Sequence, residues 1–391
     1  MIPRNAGPTC KRLSEQYPVL AILGPRQSGK TTLAKKIFSE YTYVSLEDLD
    51  KRTFATTDPR GFLATHHNGK GIILDEIQHV PDLLSYIQTY VDEHSILGSF
   101  VITGSHNFLI HQAISQTLAG RIAIVTLLPL SIEELKTQQE QLDTLLFTGF
   151  YPRIYAHHLS PSEWHQNYVQ TYVEKDIRLI KNVTDLLSFQ RFMKLCAGRI
   201  GQLVNFSSLG ADCGIDQRTV KTWISILEMS YIIFLLPPYF DNFSKRLVKM
   251  PKLYFYDTGL ACSLLGITSA EQIKTHYLRG GLFESMILSD LMKQKFNKGE
   301  MPHLFFWRDQ HGHEVDCILE HKASTLSIEI KAGQTVSSDY FNGLVYWNTL
   351  AKKPLSEGIV VYGGTEKQTR EKGRVIGWRD LASVFEDTKT T

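Results

Sequence analysis

The feature that most constrains the fold of this chain is the segment Gly24, Pro25, Arg26, Gln27, Ser28, Gly29, Lys30, Thr31, a full match to the phosphate-loop pattern G-x-x-x-x-G-K-[ST]. An apolar run from Val19 to Leu23 precedes it and reads as a buried strand. The segment from Thr32 to Phe38 follows and reads as a helix. That strand–loop–helix setting is what the pattern requires. Its glycines let backbone N–H groups curl around phosphate oxygens, and the helix N-terminus adds partial positive charge. Gly24 through Thr32 are therefore expected to cradle ATP. Lys30 would reach the β- and γ-phosphates, and the Thr31 hydroxyl would sit on Mg²⁺.

A second apolar run, Gly71 to Leu74, ends in Asp75 and Glu76. Buried parallel strands read as continuous apolar runs, and ligands bind beyond their carboxyl ends. Asp75 is thus expected beside Thr31, helping to hold the metal. Glu76, one residue further out, is placed to deprotonate the attacking water. A third run, Gly98 to Ser105, brings its polar end to the same place if the strands are neighbours. Thr103 or Ser105 would then sense the γ-phosphate, or simply form a turn. Arg121, after Gly120, is a candidate arginine finger acting in cis or from a neighbouring subunit, or else a solvated side chain.

At 391 residues the chain is expected to hold two or three domains. Its charge of +2 gives no global signal for nucleic acid, so such binding must come from a local patch. Five scattered cysteines without metal-ligand spacing point to reduced thiols in a cytoplasmic protein. No signal-peptide core is visible at the start, and no apolar run reaches the ~20 residues of a membrane span.

Residues 1–130 alternate strands (19–23, 42–46, 71–75, 99–103, 122–127) with helices, which argues for a parallel α/β sheet. Residues 131–202 read as helical. Ser131 and Glu134 form a capping box that should start a helix. A longer amphipathic helix from Pro161 carries Tyr168, Tyr172, Asp176 and Arg178. Residues 203–265 resemble a winged helix-turn-helix, with helices at 206–211 and 217–229 and a wing strand at 232–236. Such a module either enters a DNA groove or serves as a protein-binding spacer. Arg218 and Lys221 on the second helix, with the basic run Lys245 to Lys252, are either phosphate contacts or solvated turns.

Residues 266–391 hold another constellation. Glu284 shares a helix face with Leu288 and Leu291 and so points inward. Glu329 and Lys331 share one face of a strand, and Asp316 on the preceding strand can join them. Two acids bind Mg²⁺ or Mn²⁺ as hard oxygen ligands, and an adjacent lysine can orient or deprotonate water. That is the arrangement of a phosphodiester hydrolase; a solvated strand face can read the same way.

Taken together, the Gly24–Thr31 loop, Leu74 to Gln78, Ile102 to Ser105, Leu118 to Arg121, Gly149 to Pro152, Tyr256 to Leu260 and the Glu284 helix resemble the prokaryotic AAA-type ATPases with a C-terminal DUF4143 domain. The resemblance covers nearly the whole chain. It implies an AAA+ ATP-hydrolysing domain, a winged helix and a C-terminal domain similar to PD-(D/E)xK nucleases. Ser285 departs from the family, which usually has Asn there. The reading is a Mg²⁺-dependent ATPase coupled to a nuclease-like domain acting on DNA. Its rivals are an ATP-gated switch that binds nucleic acid or protein without cutting, and an exported effector. Assembly into a homo-oligomer is compatible with each.

Overall fold

The computed structural model describes residues 2–105, 114, 116–138, 140–172, 185–240, 248–321 and 324–385. They fall into two compact units. One comprises Met1–Leu130, Met229–Tyr231 and Lys293–Met301; the other comprises Ser131–Glu228, Ile232–Met292 and Pro302–Thr391.

In the first unit, β1 (Val19–Gly24), β2 (Thr42–Ser45), β3 (Ile72–Asp75), β4 (Phe100–Ser105) and β5 (Ile122–Thr126) form a sheet in the order β2-β3-β4-β1-β5. Every neighbouring pair is parallel. Strand β1 is buried along its whole length because helices cover both faces of the sheet. Val19, Ala21 and Leu23 join the core that holds Phe62, Leu84 and Ile87. Leu20 and Ile22 join the opposite core with Cys10, Leu33 and Ala34. The parallel order brings the carboxyl ends of all five strands to one edge, where ligands bind in such sheets. β1 lies between β4 and β5, so the loop leaving it opens at that edge beside the ends of β4 and β3.

In the second unit, β6 (Ile233–Leu236) and β7 (Lys252–Phe255) form an antiparallel pair. A separate mixed sheet has the order β12-β13-β11-β10-β9-β8. Its members are β8 (Leu304–Arg308), β9 (Glu314–His321), β10 (Ser324–Lys331), β11 (Ile359–Tyr362), β12 (Gln368–Arg370) and β13 (Gly373–Gly377). Helix Phe206–Cys213 is capped by Asn205, and Gly214 ends it with φ 77°. Helix Gln217–Met229 begins after Asp216, whose carboxylate accepts from the N–H groups of Arg218 and Thr219. The helix–turn–helix–strand succession therefore follows the expected boundaries closely.

The helix expected from Ser131 does not form. Ser131 and Glu134 do make both capping-box bonds, at 2.9 and 3.2 Å. The Leu135 N–H is shared between the carbonyls of Ser131 and Ile132, both at 3.2 Å, so no regular i→i+4 ladder is established. The chain continues as turns and a 3₁₀ segment, Lys136–Gln138. Helix Pro161–Tyr172 is present, and Trp164 and Tyr168 pack on Tyr151 as core. Asp176, Arg178, Lys245 and Arg246 lie outside the described residues. All five cysteines are buried free thiols. No helix among the described residues is long and apolar enough to cross a membrane.

Candidate nucleotide site and acid–lysine centre

The loop after β1 turns on two glycines. Gly24 has φ +154°, and a Cβ there would stand 2.2 Å from the Leu127 carbonyl oxygen. Gly29, with φ +92°, occupies the N-cap of helix Lys30–Ile37. Between them Gln27 also has a left-handed φ of 64°. Lys30 is buried and its Nζ donates to the Pro25 carbonyl at 2.8 Å, so the ammonium is folded back across the loop. Thr32 is exposed on the first helical turn. Arg4 ties the loop from outside the motif. Its guanidinium donates to the carbonyls of Ser28 and Leu128 at 2.6 and 2.7 Å.

Asp75, at the end of β3, gathers the site. The Thr31 hydroxyl donates to its two carboxylate oxygens at 2.9 and 3.1 Å. Thr103 Oγ1 donates to Oδ1, and Tyr43 Oη to Oδ2 at 2.8 Å. The parallel pairing of β3 with β4 is what carries Thr103 to Asp75. The Thr31 hydroxyl and the buried Asp75 carboxylate are adjacent hard oxygen donors, which fits Mg²⁺ held with a nucleotide. Glu76 follows in a left-handed conformation, φ 56° and ψ 51°, unusual for a side chain of its size. Its carboxylate accepts from Gln78 Nε2, which also donates to Ser105 Oγ at 3.1 Å.

Arg121 is not at this edge. Its carbonyl accepts from the Val19 N–H, at the amino end of β1, one full strand from Gly24. Five rises of ~3.3 Å separate the two ends. Its guanidinium grips the Asp92 carboxylate, with Nη2–Oδ2 at 2.9 Å. Supply of an arginine finger in cis is thereby excluded, because the parallel sheet sends residue 121 to the opposite edge.

In the second unit, Asp316 leaves β9 and Glu329 and Lys331 leave β10. The two strands pair antiparallel up to Ile328 opposite Cys317. Just beyond, an Asp316 oxygen accepts the Ile330 N–H at 2.8 Å. Lys331 Nζ lies 2.6 Å from Glu329 Oε1 and 3.3 Å from Asp316 Oδ2. Sharing one ammonium keeps these oxygens within ~8 Å, the limit for sharing a metal after side-chain movement. Glu284, on helix Arg279–Asn297, accepts from Tyr254 Oη at 2.9 Å.

The sequence reading missed a member. Lys252, placed there among phosphate contacts or solvated turns, is buried. Its Nζ pairs with Glu314 Oε1 and lies 3.9 Å from Asp316 Oδ1. The signal was the alternation Lys252, Tyr254 and Glu314, Asp316, each pair on one strand face. Ser285, where the family usually has Asn, clamps this strand from the Glu284 helix. Its Oγ donates to the Phe255 carbonyl and accepts the Phe255 N–H, at 2.8 and 2.9 Å.

Burial first, and the Asp316 charge second, push the Glu329 carboxyl up to about 8 and the Glu284 carboxyl up to about 7. Burial alone would lower Lys252 and Lys331, but the surrounding carboxylates outweigh it and hold both ammoniums charged. Two lysines thus face four carboxylates, Glu284, Glu314, Asp316 and Glu329. Among the described residues no three His, Cys, Asp or Glu side chains are grouped to hold a metal. Lys252 at Asp316 and Lys331 at both acids bring positive charge to the place expected to take a divalent ion. Glu329 Oε2 nevertheless is buried without a hydrogen-bond partner.

Comparison with known proteins bears on both regions. A family profile described as "AAA domain" matches residues 16–136. Another, described as "Domain of unknown function (DUF4143)", matches residues 279–381. The chain carries an AAA domain followed by a DUF4143 domain. Between them, residues 139–271 match a further domain of unknown function, DUF8612. The AAA domain spans the Gly24–Thr31 loop, Asp75 and Thr103; the DUF4143 domain spans Glu284, Asp316, Glu329 and Lys331. Uncharacterized proteins of Mycobacterium bovis and Mycobacterium tuberculosis are each 28% identical over 339 residues, covering 85% of this chain and 75% of theirs. A Walker-type ATPase of Pyrococcus abyssi is 15% identical, covering 68% of this chain and 96% of its own, with a TM-score of 0.44. The AAA match places the first unit with the P-loop ATPases of AAA type.

Proposed function

We propose that the chain is a Mg²⁺-dependent ATPase whose cycle controls a nuclease-like C-terminal centre acting on DNA. The observation that carries the ATPase reading is the convergence of Thr31, Tyr43 and Thr103 on Asp75 beside the phosphate loop. On this reading the loop N–H groups and the helix N-terminus bind the phosphates. Lys30 leaves the Pro25 carbonyl and places its ammonium against the β- and γ-oxygens. Thr31 and Asp75 would hold Mg²⁺, which supplies charge neutralisation across those oxygens. Glu76 accepts the proton of the attacking water once Gln78 releases its carboxylate. Thr103 keeps Asp75 oriented. Gly24 through Thr32 are the proposed nucleotide contacts.

For the second unit, Glu284, Asp316, Glu329 and Lys331 are the proposed phosphodiester centre, and the 203–265 module the proposed DNA contact through Arg218, Lys221 and Lys249, all exposed. The buried Lys252 favours a second reading, a switch that holds nucleic acid or protein without cleaving it. One experiment tests both: ATP hydrolysis with and without DNA, beside DNA cleavage in Mg²⁺ or Mn²⁺. Turnover of ATP with metal-dependent cleavage supports the first reading. Turnover without cleavage leaves the switch. No turnover removes the first, and no ATP binding removes both.

A further inference from the structure

The acid–lysine centre brings two ammonium groups of its own, Lys252 and Lys331, to its carboxylates. Glu314 and Asp316 face Lys252 from β9, two residues apart on one strand face. Lys331 takes the other oxygen of Asp316. The Lys252 side chain is 5% exposed, so its ammonium has carboxylates rather than water for company. Its position is not adjustable by a loop. Lys252 is the first residue of β7, paired with Leu236 on one side and bridged to Leu203 on the other. Ser285 pins the far end of the same strand. Against this stands one donor left over, the buried and unpartnered Glu329 Oε2. A carboxylate oxygen in that state is stable only if protonated or if another cation arrives.

We infer that Lys252 is a tethered cation that occupies the acid centre in place of a divalent metal, and that the centre binds metal only when this ammonium is withdrawn or removed. Coulomb repulsion supplies the reason. A unit positive charge 3.9 Å from an Asp316 oxygen that would ligate the ion disfavours a second cation there. The withdrawal would start at β7, which pairs with β6, the strand that follows the helix–turn–helix. The inference rests on the proposed phosphodiester centre but not on its cutting DNA.

The test is Mn²⁺ binding to the nucleotide-free full chain, by calorimetry or Mn²⁺ electron paramagnetic resonance. Omitting nucleotide keeps the phosphate-loop ion out of the count. Wild-type protein is expected to bind Mn²⁺ weakly. Lys252→Met should bind one Mn²⁺ per chain at least about tenfold more tightly. Lys252→Gln, which retains a hydrogen-bond donor for Glu314, should show the same gain and serves if the Met variant does not fold. Adding Asp316→Asn to either should abolish the gain. Tight stoichiometric Mn²⁺ binding by the wild type overturns the inference whatever the variants do, as does the absence of any gain in a folded Lys252 variant. Gain of Mn²⁺ binding without DNA cleavage leaves the inference standing and removes the nuclease reading. Tight binding with cleavage by the wild type does the reverse.

Discussion

At the scale of single residues, charge decides most outcomes. Lys30→Ala should reduce ATP affinity below detection in equilibrium binding, because no other ammonium is bonded across the loop to Pro25; wild-type affinity would contradict the role given to Lys30. Glu329 gives a pH prediction. Its carboxyl is raised from an ordinary 4.5 to about 8 by burial and Asp316, so the folded chain keeps a proton that the unfolded chain releases. Stability contributed by this group therefore falls as pH rises between those values. Glu329→Gln should flatten that fall, measured as urea midpoints from pH 5 to 8; an unchanged slope would show that the carboxyl titrates normally.

At the scale of elements, the sheet was readable and the centre was only partly so. Each strand of the first unit reveals itself because a strand covered on both faces must be apolar throughout, as Val19–Leu23 is. The phosphate loop carries its own chemistry in eight consecutive residues. Tyr43, Gln78 and Arg4 escaped because their partners, Asp75, Glu76 and Ser28, are fixed by strand pairing and loop closure rather than by spacing. Lys252 escaped because a lysine in a basic run looks solvated until tertiary packing buries it. The readings of Arg121 stayed open because its Gly-Arg setting says nothing about which end of a parallel sheet it occupies. Two element-level predictions follow from the same contacts. Gly24→Ala should destabilise the first unit by ~2 kcal/mol or more, since its Cβ would meet the Leu127 carbonyl at 2.2 Å. Denaturant midpoints equal to wild type would refute the close approach. Tyr43→Phe should lower ATP turnover by about tenfold with little change in ATP affinity, since one hydrogen bond to the charged Asp75 is lost and the ring stays. A large rise in KM instead would place Tyr43 at the nucleotide.

At the scale of the whole molecule, an AAA domain is joined to a DUF4143 domain whose acids are already paired with lysines from within the chain. Any DNA contact through Arg218, Lys221 and Lys249 would be electrostatic and sequence-tolerant. Affinity for duplex should then fall steeply between low and physiological salt; a flat dependence would remove DNA from the account. ATP hydrolysis is proposed at the Gly24–Thr31 loop with Glu76 as base. Its most direct test is single-turnover hydrolysis of radiolabelled ATP by wild-type and Glu76→Gln protein, with ATP binding measured alongside. The account predicts turnover by the wild type, and retained ATP with turnover lowered by at least about a hundredfold in the variant. Hydrolysis by Glu76→Gln at the wild-type rate would contradict it.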